Sequence, residues 1–563
     1  MRHFSLCVFP FGKHTGLLRQ YTASVKNDTI LTIVQSTILY YMLYYMERKK
    51  NMSKNISRRS FLKGAAAGVA SVAAMGLVGV PAKAKAEESW DLETEVLVVG
   101  GGGTGVSAAA AAAEAGAKVL VLEKSGIVGG TSNLSGGVMQ AAGTKYQKEF
   151  TKYQDDTPEN HAAVWIAEGE GLVDEELVKD LANGAPEHID WLADVCGIKW
   201  TSIYGHCHIP YVPDDIMADR IHVYEGGGAA GGGFIYTKAV WDHALELGAE
   251  MQMDTEVTKL VQDEDGVVVG VVAVQDGKEI RVKATKGVIL CTASIDQNME
   301  MAKRLSPQQY YDLNNGVCMS VATDTGDGIR MGMEIGADVA GFGGCIDFCG
   351  KTGFGTDNRT GNFPSFIVNQ NGFRFVCEDS TYAYHYRAIY QQCVGLNGHT
   401  YMIFGASSMA EGEGVASGYA PWPDVETADA EVEAGTLFKG ETIEELAEAI
   451  GVPAANLKAQ LDLWNSYGEA GEDTQFGRLT GVAPITGPFY AYQNVAFNLG
   501  ALGGLKINVD TEVIDVNGNV IPHLYAAGLN AGGWIGPYYP GSGTAIIGTV
   551  HWGRKAGAKA AAN

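Results

Sequence analysis

The chain has 563 residues, 46% of them hydrophobic, with 41 Lys and Arg against 65 Asp and Glu and a formal charge of −24 at pH 7. So acidic a balance argues against a nucleic-acid partner, because phosphate contacts require a basic face. The length exceeds what one hydrophobic core usually supports, so at least two domains are expected.

The first 86 residues read as an address. Ser57-Arg58-Arg59-Ser60-Phe61-Leu62-Lys63 has the twin-arginine export pattern, small and apolar residues follow from Gly64 to Val80, and Ala82, Ala84 and Ala86 offer cleavage sites of the A-x-A kind. That apolar run is short for a spanning helix. Thr29 to Met46 is apolar but broken by Gln35 and threonines, and Met52 opens a complete export leader. Residues 1–51 are therefore expected to be a mis-assigned upstream extension and 52–86 a signal peptide read by the twin-arginine translocase. The destination is the periplasm or the outer side of the membrane. Without the leader the chain keeps 28 Lys and Arg against 63 Asp and Glu, a formal charge of −35. Such a surface keeps an exported protein soluble or attracts a basic electron-transfer partner.

Next comes a dinucleotide-binding βαβ pattern. Val96 to Val99 form a buried strand, and Gly100, Gly102 and Gly105, with Thr104 among them, have the G-x-G-x-x-G spacing. These glycines serve a tight turn, the approach of a pyrophosphate and close helix packing. The alanine-rich run Val106 to Gly116 is the helix whose positive end faces the phosphates. Glu123, 18 residues beyond Gly105, is placed to accept a hydrogen bond from a ribose hydroxyl. A second loop rich in glycine and hydroxyls follows, with Gly129, Gly130, Thr131 and Ser132, then Ser135, Gly136 and Gly137.

Up to about Arg330 apolar strands alternate with helices, including strands at Val267 to Val274 and Gly287 to Cys291. Residues 331–485 lack that alternation. They carry an aromatic stretch from Phe373 to Tyr390 and a helical region, Thr442 to Gly468, with the capped start Glu441-Thr442-Ile443-Glu444-Glu445-Leu446. From Gly487 onward strand and glycine punctuation returns. None of the nine cysteines forms C-x-x-C-H, so covalent haem is not indicated. Cys345 and Cys349 leave a disulfide open in an oxidising compartment, and otherwise the cysteines read as packed small apolar residues.

These segments resemble the FAD-dependent fumarate reductase and 3-ketosteroid dehydrogenase superfamily, which carries a GGTSxxSGG-like loop against the flavin. The resemblance runs from residue 93 onward and includes TGDG at Thr325 to Gly328, FGR at Phe476 to Arg478 and IPHLYAAG at Ile521 to Gly528. It implies an α/β fold: a Rossmann-like FAD-binding domain built from residues 87–330 and 486–563, with an inserted α+β capping domain at 331–485. It also implies FAD as cofactor, with Thr131, Ser132, Gly136, Gly137, Val257, Asp327, Gly528, Ala545 and Ile546 joining Gly100, Gly102, Thr104, Gly105 and Glu123 around it. No metal is implied. Two segments depart from the pattern: Cys291-Thr292-Ala293-Ser294-Ile295 stands for ATGGF, and Leu529 follows Gly528 where reductases have AAGE.

The resemblance divides at the substrate site. In the dicarboxylate reductases a segment RFVNExxxR supplies a proton-delivering arginine. Here Arg374-Phe375-Val376-Cys377-Glu378-Asp379-Ser380-Thr381-Tyr382 puts Tyr382 in its place. The carboxylate-binding histidine of HTMGG falls on Gly500 and the arginine of HGxNRLGG on Tyr539. A dicarboxylate bound without these partners would lose several kcal/mol per unpaired ion. Tyr539-Pro540-Gly541-Ser542-Gly543 is instead similar to the YPGPG motif of the ketosteroid dehydrogenases. By that likeness the Tyr539 hydroxyl and the Gly543 amide bind a ketone oxygen as an oxyanion site, and Tyr382 exchanges a proton with carbon. A phenol of ordinary pKa, about 10, donates more readily than it abstracts, which favours reduction. Tyr204 and Tyr211 are both candidates for a further family tyrosine, Tyr538 is open between stacking and hydrogen bonding, and Arg387 reads as a solvated surface residue.

The expected activity is an exported FAD oxidoreductase acting on CH–CH groups, reducing an enone of an apolar, steroid-like ketone. Its partners are the small unsaturated carbonyl substrate and a separate electron donor or acceptor: a membrane redox protein, quinone-linked component or flavin carrier. Three alternatives stay open: a 3-ketosteroid dehydrogenase working oxidatively, a fumarate- or urocanate-type acid reductase, and a flavin electron carrier without an organic substrate.

Overall fold

The computed structural model describes residues 89–563, apart from 206–208, 210, 351–362, 410–423 and 537. The export leader and the upstream stretch lie outside the described residues. No helix among the described residues is long and apolar enough to cross a membrane.

Strand β1 (Leu92–Val99) is followed by helix α1 (Gly103–Glu114), strand β2 (Val119–Leu122), helix α2 (Pro158–Glu168) and strands β3 (Glu250–Gln252), β4 (Lys278–Leu290) and β5 (Cys345–Gly350). Val96–Val99 pair in parallel with Val119–Leu122 on one side and with Gly287–Leu290 on the other. A strand hydrogen-bonded on both edges and covered on both faces reads as an unbroken apolar run, which is why VLVV shows no alternation.

From residue 366 to residue 493, past the boundary expected at 485, strand β6 (Phe366–Val368), helix α3 (Tyr382–Leu396), strands β7 (Tyr401–Gly405) and β8 (Phe438–Gly440), helices α4 (Ile443–Ile450) and α5 (Ala454–Ala470) and strand β9 (Phe489–Gln493) follow in turn. The four strands make an antiparallel sheet in the order β6-β7-β9-β8. It has apolar clusters of its own, one around Phe366, Leu446 and Trp464 and one around Phe404, Tyr386 and Met402. The chain then returns with strand β10 (Val520–Ala526) and helix α6 (Thr544–Ala561).

Strand β10 joins the first sheet parallel to β4, giving the parallel order β10-β4-β1-β2-β3. Helix α6 lies along α1 so closely that a Cβ at Gly557 would come within 2.1 Å of the Ala108 carbonyl oxygen. The alanines of α1 and this glycine let the C-terminal helix share the layer of the N-terminal βαβ unit. The expected architecture, an α/β layer made from both ends of the chain with an α+β insertion, is thus the one adopted.

The single helical region expected over Thr442 to Gly468 is two helices. The capping box is present: Glu445 N donates to Thr442 Oγ1 at 3.2 Å and Thr442 N to Glu445 Oε2 at 3.3 Å. Gly451, at φ 71°, then ends α4, and Pro453 caps α5. A left-handed glycine two residues before a proline stops one helix and starts another.

Candidate active site

A cavity of about 400 Å³ opens at the carboxyl ends of β1, β2 and β4, where Val99, Leu122 and Cys291 line it. At one end lies the first turn of α1. Its N-cap is Gly102, without a side-chain cap, so its amides and the positive end of the helix dipole face the cavity. A Cβ at Gly102 would meet nothing nearer than Gly129 O at 3.9 Å, which leaves room for a pyrophosphate. Glu123 accepts from Gly101 N at 2.6 Å through Oε2 and from Ser125 N at 2.7 Å through Oε1. Those bonds fix the carboxylate and leave further lone pairs for ribose hydroxyls. An uncapped helix start, a bare glycine and a fixed acid at the next strand end fit the adenosine diphosphate half of FAD.

Gly100, Gly102, Thr104, Glu123, Thr131, Ser132, Gly136, Gly137, Val257, Asp327, Ala545 and Ile546 all line this cavity. Gly105 and Gly528 do not. A Cβ at Gly105 would lie 1.8 Å from Gly100 O, so this glycine lets α1 begin directly against β1. Gly105→Ala is expected to cost about 1–3 kcal/mol in overpacking. It should also lower FAD affinity about 10- to 100-fold, read as lost flavin absorbance per protein and a lower melting temperature.

At the other end the cavity is lined by Tyr382, Tyr539, Ser542 and Gly543, together with Ile346, Phe348, Phe497 and Leu499. Tyr382 is the first residue of α3. The segment before it is anchored from behind: Arg374 donates Nε to Glu378 Oε1 at 2.9 Å and Nη2 to Glu378 Oε2 at 2.7 Å and to Asp473 Oδ2 at 2.9 Å, with all three side chains fully buried. The RFVCE motif is therefore a buried ion cluster that places the turn leading into Tyr382. Phe348 stacks on Tyr382 at 4.2 Å between ring centroids, the Tyr539 ring lies 6.0 Å away, and the Ser542 hydroxyl donates to Tyr382 Oη at 3.4 Å.

Tyr539 Oη accepts the Ala545 amide at 2.8 Å, at the N-terminus of α6. Burial pushes its phenol well up, and the amides of Ala545, Gly543 and Thr544 offset part of that push. A hydroxyl whose oxygen sits on a helix N-terminus is a polarised donor. Tyr204 lines the cavity whereas Tyr211 packs against Tyr384 at 5.9 Å. The Tyr538 ring packs at a tilt against Tyr384, 5.4 Å between centroids, and its hydroxyl donates to Glu170 Oε2 at 3.3 Å.

One expectation needs correction and one open point closes. Arg387 is not a solvated surface residue: it is half-buried, donates Nη1 to Gly343 O at 2.8 Å and to Gln308 Oε1 at 3.2 Å, and lies 5.2 Å over the Tyr538 ring. From Tyr382 onward the aromatic stretch folds as a helix, and the fifth residue beyond Tyr382 turns toward these carbonyls. Cys345 is a free, buried thiol that donates to Gln309 Oε1 at 3.2 Å, while the Cys349 side chain lies outside the described residues. Four residues along a strand span about 13 Å, too far for a disulfide.

Sequence reasoning missed Phe348, Lys124 and Asp296. Ile346 and Phe348 face the cavity while Asp347 between them is buried away from it, a period of two that CIDFC carried. Lys124 is held by Asp327 at 2.6 Å. Burial pushes Asp296 up to about 6, against hydrogen bonds from Ser320 and the Ala501 amide.

Comparison with known proteins agrees with this geometry. Residues 95–546 match the FAD binding domain family, and residues 55–75 match the signal sequence of the twin-arginine translocation pathway. Digoxin reductase of Eggerthella lenta is 30% identical over 490 residues, covering 79% of this chain and 83% of that protein. Urocanate reductase of the same organism is 32% identical over 469 residues, covering 79% and 71%. The crystal structure of 3-ketosteroid-Δ4-(5α)-dehydrogenase from Rhodococcus jostii RHA1 in complex with 4-androstene-3,17-dione superposes with a TM-score of 0.72 at 31% identity, covering 85% of this chain and 99% of that one.

Proposed function

The chain belongs to the FAD binding domain family and is an exported FAD-dependent oxidoreductase acting on carbon–carbon bonds, and from that premise we propose that it reduces the C=C bond of an enone in an apolar, steroid-like ketone. One observation carries the reading. Among the described residues that line the cavity, Lys124 is the single cation, it is already held by Asp327, and no arginine or histidine is present. An unsaturated acid bound there would leave its carboxylate without a cationic partner among the described lining residues, whereas a ketone needs only hydrogen-bond donors.

FAD, when bound, supplies the hydride. The protein's residues do the rest. The Tyr539 hydroxyl and the Gly543 amide hold the carbonyl oxygen and stabilise the negative charge that builds on it. Tyr382 gives its proton to the carbon beside the carbonyl. Leu499, Phe497, Ile346 and Phe348 exclude water and pack an apolar skeleton. Electrons come from a separate redox protein, quinone-linked component or flavin carrier. The same residues run in reverse serve a ketosteroid dehydrogenase, a second reading favoured by the likeness to the Rhodococcus enzyme.

Anaerobic enzyme reduced with dithionite and mixed with enones and unsaturated acids tests this. Enones are expected to reoxidise the flavin and fumarate or urocanate are not. The opposite pattern overturns the reading, and reduction of oxidised enzyme by saturated ketones instead would assign the oxidative direction.

A further inference from the structure

Behind the two tyrosines lies a second, separate chamber of about 30 Å³. Thr381, the residue before Tyr382, lines it, and so do Pro540 and Gly541, two of the three residues between Tyr539 and Gly543. The remaining polar wall is Gln140, His161, Trp165, Glu168 and Arg220. Glu168 ends helix α2 and is 1% exposed, and His161 on the same helix is 2% exposed.

The hydrogen bonds around this chamber are directional. Gln140 Nε2 donates to Pro540 O at 3.2 Å, so its Oε1 accepts from His161 Nε2 at 2.9 Å. His161 therefore carries its proton on Nε2 and presents a bare Nδ1. Glu168 Oε1 is hydrogen-bonded to the Thr381 hydroxyl. Among the described residues, neither Glu168 Oε2 nor His161 Nδ1 has a hydrogen-bond partner. Arg220 does not neutralise Glu168, because Asp156 takes its Nε at 2.9 Å and its Nη2 at 2.7 Å.

Three orphaned buried polar atoms, Glu168 Oε2, His161 Nδ1 and the donor Trp165 Nε1, on residues lining a chamber larger than the roughly 10–15 Å³ that one water requires define a hydration site. We propose that this chamber holds one or two structural waters bridging Glu168 Oε2 and His161 Nδ1, and that Glu168 is thereby the positioning residue that holds the Thr381–Tyr382 turn and the Pro540–Gly541 turn in register. The inference rests on the reading of Tyr382 and Tyr539 given above. A protonated Glu168 suits the site, since its O–H donates through water to an imidazole nitrogen that can only accept.

The electrostatics agree. Burial pushes Glu168 up to about 8, with the Thr381 hydrogen bond pulling the other way. Burial, with Arg220 and His222, holds His161 well below its ordinary value. Tyr211, Tyr384 and Glu170, from the neighbouring elements, add no positive charge. The sign follows: the acid form is kept below about 8, and rising pH ionises Glu168 and loosens the two turns.

The test uses FAD-loaded wild type and Glu168→Gln, which copies the neutral acid. Infrared difference spectra across a pH step through about 8 should show a carboxylic-acid C=O band in wild type that disappears on the alkaline side and is absent from the variant. In turnover, wild-type kcat should fall above that pH with KM little changed. Glu168→Gln should keep kcat within about twofold and lose the alkaline fall, while Glu168→Ala should lower kcat about 10- to 100-fold. An infrared band unaffected by Glu168→Gln, or an alkaline fall that survives it, overturns the proposal. The band reports Glu168 whatever the substrate, so its absence sinks this inference alone. A normal band with no turnover of any enone instead sinks the reading of the tyrosines, and the positioning role with it.

Discussion

Tyr382→Phe is expected to lower substrate reduction about 10²- to 10⁴-fold while leaving FAD bound and its reduction by dithionite unchanged. The hydroxyl is what the reaction needs, because the carbon beside the carbonyl must receive a proton and Tyr382 lines the cavity with its ring clamped on Phe348. The ring itself is retained by phenylalanine. The hydrogen bond from Ser542, at 3.4 Å, is long, so its loss should change stability by less than about 1 kcal/mol. Stopped-flow reoxidation by an enone, with the flavin spectrum as the internal control, separates the two effects. An unchanged reoxidation rate would move the proton donor elsewhere. Indifference of the wild-type enzyme to every organic substrate would instead favour a flavin electron carrier.

Tyr539→Phe should show a different signature. Loss of one oxyanion donor lowers kcat about 10²- to 10³-fold, and this variant pays a structural cost as well. The Ala545 amide, buried at the start of α6, loses the oxygen it donates to at 2.8 Å. An orphaned buried N–H costs about 1–3 kcal/mol, so the melting temperature should fall where that of Tyr382→Phe does not. Because burial holds the Tyr539 phenol well above its ordinary value, it stays a neutral donor at working pH and contributes no alkaline limb of its own. Measuring kcat and melting temperature for both variants checks the pair. A Tyr539→Phe enzyme with normal kcat would remove the oxyanion site from the account.

The βαβ unit was legible because its signals are local. Four apolar residues, three spaced glycines and an acid at the next strand end need only short-range geometry, and the cavity gathers Gly100, Gly102, Thr104 and Glu123 around the uncapped start of α1. Tyr382 and Tyr539 were reachable through motif likeness, although 157 positions separate them in the chain. The rest is tertiary. Nothing near Tyr204 or Tyr211 says which one turns inward, and Phe348 reaches Tyr382 only because β5 passes beneath α3. Arg387 looked solvated because helical position alone does not reveal the Gly343 carbonyl across from it. Glu168 and His161 gave no sequence signal, since their meaning lies in which atoms the fold leaves unpaired. The break in the helical region was visible and overlooked: Gly451 and Pro453 spell it out.

The central claim is that this pocket recognises a neutral carbonyl with hydroxyl and amide donors instead of gripping a carboxylate with cations. A structure of the FAD-loaded enzyme with a bound enone tests it most directly. The account predicts the ligand's carbonyl oxygen about 2.7–3.1 Å from both Tyr539 Oη and Gly543 N, with Tyr382 Oη facing the carbon beside it. A ligand held instead through a carboxylate, by an arginine, histidine or lysine side chain of this protein, would contradict it.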